Sequence, residues 1–139
     1  MVNSINKVIT ALQRVGIVFG PMQLLTVAGR RTGQLRTFPI AVIEIFGGRY
    51  LIQAFPQAAW VANVRAATTA TLRRGRRSAT VRLVEVPVEE RRPLLREAVA
   101  TSPPSVGKRY VTTGLADSST PDGVAAAAER IAVFRVEPA

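Results

Sequence analysis

Between Met22 and Ala54 the chain writes three runs that favour extended backbone: MQLLTVA (Met22 to Ala28), RTFPIAVIEIF (Arg36 to Phe46) and RYLIQA (Arg49 to Ala54). GRRTGQL separates the first two and Gly47-Gly48 the second pair. Runs crowded with β-branched and aromatic residues and joined by short glycine turns are consecutive hairpins. Hairpins pair their strands antiparallel, whereas parallel strands need a crossover of about a dozen residues or more. A doubly wound βαβ architecture is therefore excluded for this part of the chain.

The remainder adds short helices and more strands. PQAAWVANVRAA (Pro56 to Ala67) reads as a helix with Trp60 and Val64 on one face, followed by strands at Thr69 to Arg73 and Arg77 to Val86 around the turn RRGR. Val88 to Thr101 reads as a helix that tolerates Pro93 only near its first turn. SPPSVGKRYVTTGLADSST (Ser102 to Thr120) is polar and full of breakers, so residues 102–120 read as a candidate lid loop. Pro121 to Arg130 fits a helix capped by Thr120, and Ile131 to Val136 a last strand. This order predicts an α+β fold in which a six-stranded antiparallel sheet curls into a small barrel with peripheral helices.

At 139 residues the chain fits one domain, 1–139, with the barrel over 22–137. Residues 1–20 precede it as an amphipathic helix, with Ile5, Val8, Ile9, Leu12, Val15 and Phe19 spaced by three and four. That helix either packs on the domain's own core or rests on a membrane surface through residues 4–19. Lys7, Gln13 and Arg14 interrupt any signal-peptide core, and no apolar run is long enough to span a bilayer. The expectation is a cytoplasmic protein, free or peripheral at the inner face of the cell membrane, as a monomer or a homodimer.

The chain has no cysteine and no histidine. Disulfides, thiol nucleophiles, Ser-His-Asp triads, imidazole acid-base catalysis and thiolate or imidazole metal sites are excluded, and no metal is expected. An enzyme of this composition leaves the hard chemistry to a bound cofactor. The net charge is +10, and seventeen of the nineteen basic residues are arginine, whose planar fork of donors suits phosphate and carboxylate. Codon usage accounts for such a total equally well, so local clustering carries more weight.

The densest cluster is GRRTGQLRTFP. Gly29 and Gly33 permit positive φ, so the turn can aim successive backbone N–H groups at one point. Arg30, Arg31 and Arg36 add charge and forked donors, and Thr32 and Gln34 add neutral ones. The stretch reads as a phosphate nest or as a solvated basic turn. It is not a Walker loop, because the G-x-x-x-x-G-K-[ST] pattern is missing and it opens a strand rather than a helix. The second cluster, TLRRGRRS, sets Arg73, Arg74, Arg76 and Arg77 around Gly75, as a solvated turn or a polyanion contact.

Taken together, LLTVAGRRTGQLRTFPIAVIEI, GGRYLIQA, AAWVANVRAA, TLRRGRR and a terminal VFRVEP resemble the deazaflavin-dependent nitroreductase family of split β-barrel proteins, from about Leu24 to Val136. The most specific parts are the G-R-[RK]-[ST]-G-x-x-R-x-x-P loop and the W-x-x-N-[VL]-[RK]-A helix. The resemblance implies a split β-barrel and hydride transfer from reduced coenzyme F420, an 8-hydroxy-5-deazaflavin carrying a phosphodiester and an acidic tail, to a quinone, enone or nitroaromatic acceptor. It implies that Arg30, Arg31, Thr32, Gly33 and Arg36 hold the phosphate, with Gln34 of the same loop among the cofactor-binding residues. Thr37, Phe38 and Pro39 would approach the ring-bearing portion, and Trp60, Asn63 and Arg65 would border the same groove. Ala54 and Phe55 open AFPQAA, which takes the ring-side position but is shorter and more apolar than its counterpart in well-studied relatives. Tyr110 is the implied proton donor or substrate-positioning group, with packing of its own segment as the alternative.

Two other classes stay open. One is a split-barrel protein that binds a fatty acid or FMN, or stores the coenzyme, without catalysis. The other is a nucleic-acid binder, which the charge favours and the 6% aromatic content opposes.

Overall fold

Strand β1 (Met22–Ala28) pairs antiparallel with β2 (Leu35–Ala41) in a computed structural model that describes residues 22–139; the expected helix over residues 4–19 lies outside the described residues. The described residues fall into two compact units. The first takes the chain up to Val42 together with Ala59–Val84 and Val136–Ala139; the second takes Ile43–Ala58 and Glu85–Arg135.

In the first unit β1 also pairs antiparallel with β5 (Thr69–Arg74), and β5 with β6 (Arg77–Glu85). Side chains alternate across these strands. Leu25, Val27, Ile40, Leu72, Val81 and Leu83 point to a buried face, and Thr26, Thr37, Thr71 and Thr80 to the opposite one. Helix α1 (Ala59–Ala67) lies against β1 and β5 and buries Trp60, Val61, Asn63 and Val64. Each aliphatic side chain so enclosed contributes about 1.5–3 kcal/mol. Strand β2 ends its row, since the order in this unit begins β2-β1-β5-β6. An edge strand is where Pro39, with no N–H to donate, costs least.

In the second unit β3 (Ile43–Ile45) pairs with β4 (Gly48–Ile52), and β4 with the first half of β7 (Val133–Pro138). Helices α2 (Val88–Ala100), α3 (Pro104–Thr112) and α4 (Pro121–Ala126), with a 3₁₀ turn at Ala128–Arg130, complete it. Its core gathers Ile45, Tyr50, Ile52, Leu94, Leu95, Val99, Tyr110, Val124 and Ile131. Arg91 is buried within this unit. Its Nε donates to Val86 O at 2.7 Å, Nη1 to Ala128 O at 3.0 Å and Ile131 O at 3.3 Å, and Nη2 to Glu85 Oε2 at 3.0 Å.

Several expectations are corrected. The run Arg36 to Phe46 is two strands, because residues up to Ala41 pair with β1 and residues 43–45 pair with β4 instead. The described residues therefore carry seven strands where the sequence reading counts six. The tight turn is centred on Phe46 (φ 50) and Gly47 (φ 79) rather than on Gly47-Gly48. Both central residues have positive φ, as the right-handed twist of a two-residue hairpin requires. Segment 102–120 is not one loop. Pro104 sits in the first turn of α3, where its missing N–H costs nothing, and Gly107 packs so closely on the Ser119 carbonyl that no side chain fits. Thr120 caps α4 as expected, its Oγ1 accepting from Gly123 N–H at 3.0 Å.

Candidate functional site

The basic loop is built from the last rung of a ladder. Ala28 pairs with Leu35, so residues 29–34 must reverse the chain. Gly29 N–H donates to Gln34 O (2.7 Å), Gly33 N–H to Gly29 O (2.9 Å), and Gln34 N–H to Thr32 Oγ1 (3.3 Å). Gly33 holds φ 74, where a Cβ would strain the backbone. Arg30 N–H is taken by Asn63 Oδ1 at 3.1 Å. Two consecutive donors are left: the N–H groups of Arg31 and Thr32 have no partner among the described residues. Successive unpaired N–H groups at a turn form an anion-binding concavity.

The charged side chains divide unequally. Arg31 and Arg36 are exposed on the loop and at the start of β2. Arg30 instead sends Nη1 to Asn63 Oδ1 at 2.9 Å, so its main chain and its guanidinium meet one oxygen. Asn63 is 2% exposed on α1, with Trp60 one turn earlier on the same flank. Arg65 is exposed and lies about 200° around the helix from Asn63.

Beyond the loop, Thr37 on β2 and Thr26 on β1 face each other with their hydroxyl oxygens 2.9 Å apart. They line a cleft of about 280 Å³ with Leu24, Thr71, Arg73 and Ser78. Ligand sites run from roughly 300 to 1,000 Å³, so this cleft admits part of a cofactor-sized molecule. Phe38 and Pro39 are half-buried. Of the other basic cluster, Arg73 is folded back, its Nε on Gly75 O at 2.8 Å, while Arg74, Arg76 and Arg77 are exposed.

Ala54, Phe55 and Tyr110 belong to the second unit. Phe55 is half exposed, and its segment is shaped by a residue the motif reading passed over. Gln53, buried, accepts from Ala132 N–H at 3.0 Å through Oε1 and donates through Nε2 to Phe55 O at 2.7 Å and Pro56 O at 3.3 Å. Those bonds hold 54–58 out of helical geometry, which is why α1 starts at Ala59 rather than Pro56. The available signal was one amide inside the apolar run YLIQAF.

Tyr110 is 7% exposed on the inner face of α3, and burial pushes its phenol up to about 12 against a smaller opposing pull from Arg109. The phenol thus stays protonated in the folded chain up to about pH 12, while in the unfolded chain it ionises near 10. The stability it contributes is complete below pH 10 and is lost as pH rises toward 12, by about 2–3 kcal/mol. Tyr110→Phe is expected to remove this alkaline loss, read as a flatter unfolding free energy between pH 10 and 12 in urea titrations. An unchanged slope would place the phenol in solvent.

Comparison with known proteins follows the same outline. A family model described as F420H(2)-dependent quinone reductase matches residues 6–115. A search of the curated proteins finds no match. Among solved structures, one described as a domain-swapped dimer is 21% identical with TM-score 0.61, covering 98% of both chains. One described as an F420-H2 dependent reductase, FDR-A, is 24% identical with TM-score 0.57, covering 87% of this chain and 98% of that one. PhzG from Burkholderia lata 383 is 16% identical with TM-score 0.55, covering 99% of this chain and 75% of that one. The fold is the α+β split β-barrel that the strand order implies. No helix among the described residues is long and apolar enough to cross a membrane.

Proposed function

The chain belongs to the F420H(2)-dependent quinone reductase family and is a reductase with coenzyme F420 as its cofactor, and on that premise we propose that it seats the coenzyme's phosphate on the loop Gly29 to Gln34 and reduces a quinone. The observation that carries the phosphate placement is the pair of unpartnered N–H groups at Arg31 and Thr32, flanked by the exposed guanidinium groups of Arg31 and Arg36. Backbone donors and forked cations together form a set that matches a phosphate's charge and tetrahedral oxygens.

When bound, reduced F420 supplies a hydride. The chain's residues supply place and polarity. Thr37 and Thr26 offer hydroxyls along β2 and β1 toward the cleft, with Pro39 next along the same face of β2, while Phe38, opposite Leu25, turns to the other face of the sheet. Trp60 and Asn63 stiffen the helix that carries the other side of the loop's anchor. A quinone that accepts a hydride needs one further proton, and solvent provides it without a histidine or cysteine. Tyr110 is a packing residue in this account, because a buried phenol that holds its proton to about pH 12 is a poor donor near neutrality. Tyr110→Phe is expected to keep kcat within about threefold of the parent; a loss of about a hundredfold, the usual worth of a general acid, would restore it as the proton donor.

The direct test is a titration of the protein into F420, followed by the deazaflavin's fluorescence, then steady-state reduction of a menaquinone analogue, an enone and a nitroaromatic. Micromolar binding with the quinone as preferred acceptor supports the reading. Binding with preference for the nitroaromatic would move the acceptor class. No binding at about 100 µM, weaker than roughly −5.5 kcal/mol, would overturn the phosphate placement.

A further inference from the structure

We propose that Asn63 is the positioning residue of the anion loop and that Arg30 is its strut rather than a phosphate ligand. The inference rests on the phosphate reading of the loop and assigns its arginines different duties. Asn63 Oδ1 receives Arg30 N–H at 3.1 Å and Arg30 Nη1 at 2.9 Å, across thirty-three residues of sequence. The oxygen is enclosed on a helix that is itself packed on β1 and β5. A buried acceptor satisfied twice by one residue fixes both ends of that residue. Arg30 is thereby pinned at its main chain and its head group, one position before the two free N–H groups.

The consequence is geometric. Pinning residue 30 at one side, while Gly33 N–H to Gly29 O and Gly29 N–H to Gln34 O close the turn at the other, restrains the peptides that carry the N–H groups of 31 and 32, so the nest is formed before any ligand arrives. Preorganised donors bind without paying to be ordered. Arg31 and Arg36, which no such bond restrains, read the anion. Asn63 Nδ2 has no partner among the described residues, so an amide that donates straight to the ligand is the rival account to separate.

Two near-isosteric changes separate them. Asn63→Asp keeps the acceptor and gives Arg30 a carboxylate partner, while Asn63→Leu keeps the volume and removes the acceptor. As a positioning residue, Asn63→Asp is expected to bind F420 within about threefold of the parent, and Asn63→Leu about 10- to 30-fold more weakly, with kcat at saturating coenzyme within about twofold for both. If the amide instead donates to phosphate, Asn63→Asp sets a negative charge against it and falls as far as Asn63→Leu or further, which overturns the proposal. Arg30→Gln changes an exposed side chain and keeps the main-chain bond to Asn63; it is expected to cost less affinity than Arg31→Ala, and the reverse order would make Arg30 a direct ligand.

Amide hydrogen exchange reads the strut without coenzyme. Asn63→Leu should quicken exchange at Arg30 and its loop neighbours and leave the β1–β2 ladder unchanged; unaltered protection at Arg30 would end the proposal. A parent chain that fails to bind F420 would remove the phosphate reading, while the exchange experiment would still decide the strut.

Discussion

Coenzyme F420 is expected to bind the Arg31→Ala/Arg36→Ala double variant about 3 kcal/mol more weakly than the parent, roughly 150-fold in Kd. Each charge-assisted hydrogen bond is worth about 1.5–3 kcal/mol. The lower end applies because both guanidinium groups are exposed and screened by water and salt. The two N–H groups of Arg31 and Thr32 remain in the variant, so binding weakens rather than vanishes. Fluorescence titration at two ionic strengths checks this. The parent should lose affinity as salt rises from 50 to 300 mM, and the double variant should lose less, because fewer cations then face the ligand. Equal salt slopes would mean that the basic loop is not where the coenzyme's charge is held.

Thermal unfolding should show the largest structural effect at Arg91. Arg91→Met keeps most of the aliphatic stem and deletes at least the four hydrogen bonds described above, leaving the carbonyls of Val86, Ala128 and Ile131 short of a donor and Glu85 without this cation. Unsatisfied buried acceptors cost about 1–3 kcal/mol each where water cannot reach them, and breaking a buried ion pair by removing one partner costs about 3–5 kcal/mol. Glu85 is partly exposed, which lowers the share due to the pair. Ala128 O keeps the Ile131 N–H and Glu85 turns to solvent, so the costs reduce to about 1–1.5 kcal/mol for each of the two remaining carbonyls, a net loss of about 3 kcal/mol or about 10 °C in Tm for a chain of this size. Arg91→Lys is expected to recover only part, since one ammonium cannot reproduce a planar fork that reaches three carbonyls and a carboxylate. A loss under 1 kcal/mol for Arg91→Met would mean that water replaces the guanidinium.

These two arginines mark what a reading of composition misses. Arg31 and Arg91 count equally toward +10, yet one faces solvent beside two free N–H groups and the other is spent inside the second unit. Arg91 stands within VEERRPLLREAV, and nothing local separates it from Arg92, whose side chain runs along the surface to Glu89 and the Ala125 carbonyl. Asn63 was legible as part of a motif expected to border the coenzyme groove, but its two bonds to Arg30 were not. Gln53 carried only the faint signal of a lone amide among apolar residues.

Features that depend on neighbours within about four residues were written in the chain. The strands of the first unit, the helix Val88–Ala100, the Thr120 cap with Pro121 behind it, and the glycine-built turn over residues 29–34 all follow from periodicity and turn chemistry, and the motifs of the loop and the tryptophan helix led to the family. Tertiary structure decided the rest: that the run 36–46 divides where its pairing partner changes, that residues 104–112 coil although prolines and a glycine crowd them, and which buried amide or guanidinium satisfies which carbonyl. The physical reason is range. Dihedral preference acts on a residue and its near neighbours, whereas the bonds that pin Arg30, Gln53 and Arg91 close across 33, 79 and up to 40 residues and exist only once the packed core has excluded water from them.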